Sequence, residues 1–231
     1  MLAPDLIQIA GVIDEAEARM LRRCGVNYLG FPLRLPVHRE DISEADATKI
    51  MGGLEPPAFG VLITYLDDAR EIAAFSASLG ARIVQLHGDI TVEELVKLKE
   101  IAPELQVIKS LVIGLHGEDA LESMVDRFSM HVNAFITDTF DPATGASGAT
   151  GIVHDWSVSR RLVEMSVPPV ILAGGLDPGN VRRAILEVRP SGVDSHTGVE
   201  DDAGRKSPDK VKAFVAEAEA GFRLITDNDD N

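Results

Sequence analysis

"LIQIAGVID", residues 6–14, is an apolar run that ends on two small residues, Ala10 and Gly11, and passes directly into helical spacing. A strand this apolar has no face for water and must be covered on both sides, as in a parallel sheet flanked by helices. A doubly wound open sheet usually carries G-x-G-x-x-G in the turn after its first strand, and "AGVID" lacks that spacing. The pattern then repeats. Strand-like runs are expected at 6–10, 28–31, 59–63, 82–86, 106–110, 134–138, 169–173 and 192–196, and helices at 14–24, 43–51, 67–79, 91–101, 118–128, 155–165, 178–188 and 207–220. Start signals support several helices: Thr91 has Glu94 three residues later, and Asp177 precedes Pro178 as the first helical residue. Eight strand–helix units with no low-complexity linker predict a single-domain (β/α)8 TIM barrel over residues 1–221, followed by an acidic C-terminal tail, 222–231, expected to be disordered.

Composition narrows the class of function. The 231 residues are 45% hydrophobic and 26% charged, with a formal net charge of −15. Lys and Arg form no basic run, which argues against nucleic acid as a partner. An anionic ligand would need fixed cations and backbone N–H groups to hold it against an unfavourable net field. The single Cys24 excludes an intramolecular disulfide and makes a reducing cytoplasm the expected location. No apolar run approaches the roughly 20 residues that cross a bilayer. The six histidines show no ligand spacing such as H-x-x-x-H, so no metal site is expected.

A barrel of this kind places its chemistry at the C-terminal ends of its strands. "LAGGLDPGNV" and "DSHTGVE" put Gly174, Gly175, Thr197 and Gly198 at the last two strand ends, where backbone N–H groups can cradle a phosphate. Tight turns are the plain alternative for those glycines. Asp138 ends the sixth strand before a Gly-rich loop, and a partly buried carboxyl there suits a general acid; capping a turn is its plain role. Gln85 faces inward on the fourth strand, and His87 at the strand end reads most simply as a hydrogen-bonded structural group. Lys109 suits an anion partner, and Arg39 a bidentate pair with a carboxylate or no role on an exposed loop.

In order along the chain, "GF" (30–31) with Arg39, "VQLHG" (84–88), "VIK" (107–109), "TDT" (137–139), "DW" (155–156), "AGGLDPGNV" (173–181), "GVD" (192–194) and "TGVE" (197–200) resemble phosphoribosylanthranilate isomerase, a tryptophan-biosynthesis barrel. The resemblance implies a cofactor-free Amadori rearrangement of a phosphoribosyl amine. It also implies Asp138 as acid on the ring oxygen, Arg39 on the anthranilate carboxylate, Gln85 and Asp194 lining the site, and phosphate at Gly174, Gly175 and Gly198; His87 and Thr197 are further binding candidates by their strand-end positions. A phosphorylated small molecule is then the expected partner, and a monomer or homodimer the expected assembly. The first strand departs from the family. It has Gln8 and Ala10 where the family's Lys-x-Cys-Gly carries a lysine and the general-base cysteine. His196, where the family has serine, is a candidate substitute base, placed on Asp194's side if strand alternation holds that far. The alternatives are an isomerase or epimerase of another phosphorylated sugar, and a non-catalytic phosphosugar-binding barrel.

Overall fold

In the computed structural model, which describes residues 2–36, 40–141, 146–147, 151 and 153–229, parallel strands alternate with helices along the chain. The strands are β1 (Leu6–Ala10), β2 (Tyr28–Pro32), β3 (Phe59–Thr64), β4 (Ile83–Leu86), β5 (Gln106–Ile113), β6 (Ala134–Asp141), β7 (Ala146–Ser147), β8 (Val170–Leu172) and β9 (Gly192–Ser195). The helices are α1 (Glu15–Arg23), α2 (Glu44–Gly52), α3 (Ala69–Leu79), α4 (Val92–Ile101), α5 (Glu118–Phe128), α6 (Trp156–Met165), α7 (Val181–Val188) and α8 (Pro208–Asp229). Eight parallel strands close into a ring, with β1 beside β9 at one seam and β5 beside β6 at the other. The chain is therefore a (β/α)8 barrel, as its strand–helix alternation predicts.

Two shells of apolar side chains follow from strand alternation. Leu6, Ala10, Val61, Ile63, Ile108 and Ile136 fill the barrel interior, while their odd-spaced neighbours, Ile7, Ile9, Leu29 and Phe135 among them, pack outward under the helices. Helix starts are fixed by side chains that accept from exposed backbone N–H groups: Asp14 from Glu17, Ser43 from Asp46, Asp68 from Arg70 and Glu71, and Asp155 from Ser157. Thr91 caps α4 by accepting from Glu94 N, but the Glu94 carboxylate turns to the N–H of Ala69, so it ties α4 to α3 instead of closing a capping box.

Four boundaries differ from the sequence reading by three residues or more. Strands β5 and β6 run three residues longer, to Ile113 and Asp141, because they pair with each other through Ile113 and Thr139. The end of β6 folds back on β7 as a short antiparallel hairpin. Helix α7 starts at Val181, since Asp177 spends its carboxylate on a turn, accepting from Gly179 N and Asn180 N. Helix α8 continues through residues 222–229, which the sequence reading assigned to a disordered tail: Phe222 is only 4% exposed in the outer core, and Ile225 packs against it. We expect Phe222→Ala to lower unfolding stability by about 3 kcal/mol or more in urea titration, whereas a residue outside the fold would leave the midpoint unchanged.

Candidate functional site

The inward side chains near the C-terminal ends of the strands are polar where those below are aliphatic. Gln8, Gln85, Asp138 and Asp194 come from β1, β4, β6 and β9, and none is more than 8% exposed. Gln8 donates from Nε2 to Gln85 Oε1 across the interior at 2.9 Å and faces the Asp194 carboxylate, its register partner on β9, as a donor that favours the ionised form. Gln85 Nε2 donates to His87 Nε2 at 2.7 Å. His87 lies beside the ring of Tyr65, centroids 5.3 Å apart. Asp138 Oδ1 accepts from the following N–H, that of Thr139, at 2.8 Å, while Asp194 Oδ1 has no hydrogen-bond partner.

Burial dominates the electrostatics. Desolvation pushes Asp138 up to about 7 against the lowering effect of its Thr139 N–H bond. Asp194 is pushed up to about 7 as well, first by burial and then by the negative charge of Asp138, with smaller opposing effects from Gln8 and Lys206. Burial also keeps three imidazoles neutral: His87 falls to about 3, His154 to about 4 and His196 to about 3, with Lys109 adding to the first and Lys206 to the last. The pocket floor thus carries two carboxyl groups whose protons are held up toward neutrality by burial, with the charge of Asp138 also raising Asp194.

Ala10 ends β1 with its Cβ in the inner core, beside Gly30 and Ile63. His196 does not continue the alternation of β9. The strand ends at Ser195, and His196, at φ −117° and ψ −83°, begins a single 3-10 turn. Its ring lies over Gly11, where a Cβ would come within 2.1 Å of Nε2; Gly11 has φ +78°, so its conformation and the contact both require glycine. Nε2 of His196 lies 3.5 Å from Glu200 Oε1, which also accepts from the Lys206 ammonium at 2.5 Å. Lys206 is buried, and its N–H is held by Glu17.

The last two strand-end loops are locked together. Ser195 Oγ donates to Leu176 O at 2.7 Å, and Gly198 lies against the same carbonyl. Asn180 donates to Gly175 O and accepts from Asp177 N. Gly174, at φ +100°, leaves room for Thr139 and His154, whose side chains hydrogen-bond at 2.9 Å. His154 Nε2 continues the chain to Ser159 Oγ at 2.6 Å.

The structure gathers Asp138, Asp194, Gln85 and His87 around one floor, and sets His196, Thr197 and Gly198 at its rim beside the Gly174–Gly175 loop. Arg39 lies outside the described residues. Lys109 belongs to mid-β5 and turns its ammonium to the carbonyls of Leu86 and Ser110. Tyr65, His154, Glu200 and Lys206 carry parts of the site that the sequence reading did not single out. "VHDW" places His154 just before a helix cap, which is a usable signal, whereas nothing local marks Lys206. Among the described residues no group of three or more His, Cys, Asp or Glu is arranged to hold a metal ion, and no helix is long and apolar enough to cross a membrane.

Comparison with known proteins gives a consistent picture. The sequence model of N-(5'-phosphoribosyl)anthranilate (PRA) isomerase matches residues 26–217. N-(5'-phosphoribosyl)anthranilate isomerase 2 of Methanosarcina mazei is 40% identical over 221 residues, covering 94% of this chain and 95% of its own length. The isomerase of Haloferax volcanii is 31% identical over 225 residues, 97% of each chain. Among solved structures, phosphoribosyl anthranilate isomerase from Thermotoga maritima superposes with a TM-score of 0.79 at 29% identity, covering 94% of this chain and 99% of that one. An isomerase in complex with reduced 1-(o-carboxyphenylamino)-1-deoxyribulose 5-phosphate gives 0.76 at 28% over the same shares.

The raised carboxyls have a consequence for stability. Each binds its proton more tightly in the fold than in the unfolded chain, so their contribution is full below about pH 4 and lost as pH rises toward 7. We expect Asp138→Asn to raise Tm at pH 8 by at least ~2 °C, and by much less at pH 4, in calorimetry of the two proteins at both pH values.

Proposed function

The chain belongs to the N-(5'-phosphoribosyl)anthranilate isomerase family, and from that footing we propose that it catalyses the family's Amadori rearrangement, with Asp138 as the acid. The observation that carries the reading is the Asp138 carboxyl itself. It points into the barrel from β6, is 7% exposed, and is held near 7 by burial, so at neutral pH it retains a proton to give. Protonation of the ribose ring oxygen breaks the C1–O bond, and the anthranilate nitrogen lone pair moves in to form an iminium. Removal of the C2 proton then gives the enolamine that becomes the ketose.

The ribose phosphate is placed on the linked loops of Gly174, Gly175, Thr197 and Gly198, and the anthranilate carboxylate is assigned to Arg39. Gln85, His87 and Asp194 line the sugar. A reducing cytoplasm suits a chain with a single cysteine, Cys24. A monomer or homodimer is the assembly expected; the isomerase of Thermotoga maritima is described as dimeric, in a structure of monomers generated from it. The methyl group of Ala10, where the family carries its base, favours a second reading: a barrel that binds the phosphosugar without turning it over.

Loss of anthranilate-adduct fluorescence on adding the protein to phosphoribosylanthranilate separates the two. We expect turnover, reduced about 10²-fold or more in kcat by Asp138→Asn. Thermal protection by the ligand with no turnover at any pH between 5 and 9 would instead establish the binding protein.

A further inference from the structure

Within the isomerase reading, the floor of the barrel identifies which group removes the C2 proton once the family's thiolate is gone. We propose that Asp194 is the general base of this chain, paired with Asp138 as the acid, so that the base has moved from the end of β1 to β9.

Position comes first. The β1–β9 seam pairs Gln8 with Asp194, so the carboxylate lies alongside β1, one inward step below Ala10. It faces the interior at 8% exposure, within the electrostatic reach of Asp138 two strands away around the ring. Gln8 faces the carboxylate as a donor, and Oδ1 has no partner in the fold, so a buried acceptor is left open in the pocket. His196 is less suited. Its Nε2 is turned toward Glu200 and Gly11, and burial beside Lys206 makes its ring a very weak base.

The second substitution in β1 supports the same assignment. A lysine at position 8 would set an ammonium beside Asp194, hold it ionised at low pH and weaken it as a base. Gln8 supplies a hydrogen bond without that charge, and Asp194 titrates near neutrality, where a general base is most effective. The charged and titratable groups around Asp194 are Asp138 from β6, His87 beyond Gln85 on β4, His196 at the end of β9, and Lys206 from the segment before α8. β1 offers none on the inward side. Losing the thiol and losing the lysine are thus one change of mechanism: the first removes a base, and the second activates its replacement.

The protons balance. Asp138 gives its proton to the ring oxygen as the C1–O bond breaks. Asp194 takes the C2 proton, and the C–H pair becomes the C1–C2 double bond as the iminium nitrogen recovers its lone pair. Return of that proton to C1, with the enol proton passing to Asp138, leaves the ketose and restores both carboxyls.

The experiment measures kcat and KM for phosphoribosylanthranilate from pH 5 to 9 in the unmodified protein and in Asp194→Asn, Asp194→Asn with Ala10→Cys, and Gln8→Lys. Binding is followed separately by thermal protection with the reduced carboxyphenylamino-deoxyribulose phosphate. We expect Asp194→Asn to lose about 10²-fold or more in kcat while still being protected, and Ala10→Cys in that background to restore turnover with an acidic limb characteristic of a thiol. Gln8→Lys should move the acidic limb of the profile to lower pH and reduce kcat at pH 7. An active protein whose Asp194→Asn variant keeps kcat within about threefold overturns Asp194 as base and leaves the isomerase reading standing. An unmodified protein with no turnover overturns both.

Discussion

Closure of the sheet between β1 and β9 is the constraint on which the rest depends. Leu6 pairs with Gly192 and Gln8 with Asp194, and at this seam the chains approach so closely that a side chain at Gly192 would press on Leu6. Once the seam is set, strand alternation decides which residues look inward. The same register that buries Leu6 in the lower interior brings Gln8 and Asp194 together above it. The polar floor is thus built by the fold's own closure, with no loop required to position it.

That floor is an unfavourable place for charge. Two carboxyl groups sit in a dry interior of a chain already at −15, with Lys206 as a partial offset and Gln8, a neutral residue, as the nearest donor to one of them. A core filled with leucine at these positions would be more stable; the fold keeps two titrating carboxyls there instead, at the expense of stability in neutral solution. The surrounding imidazoles fit that description. Each is half-buried and neutral, so they shape and hydrogen-bond the cavity without adding positive charge to it.

What the sequence made legible was whatever depends on period. Gln85 is legible from its inward position on β4 and Asp138 from its place toward the end of β6, whereas Asp194 on β9 came with the family resemblance. Features set by the path of a loop were hidden. His196 leaves the strand pattern at one unusual ψ angle, Lys206 returns to the site because its N–H finds the distant Glu17, and Tyr65 reaches His87 from the end of a different strand. Helix α8 runs past the boundary drawn at residue 221 because the polar composition of residues 223–231 masked the one buried aromatic, Phe222, directly after it.

The imidazole of His196 resting on Gly11 carries an evolutionary consequence. The space over the first strand end is claimed from the eighth, so no side chain can be introduced at position 11 unless the ring withdraws, and with Ala10 next in the chain the two strand ends form a single steric unit. Changes there are epistatic. A side chain at position 11 becomes possible only after position 196 has changed, so the order in which these two positions mutate decides which intermediates fold.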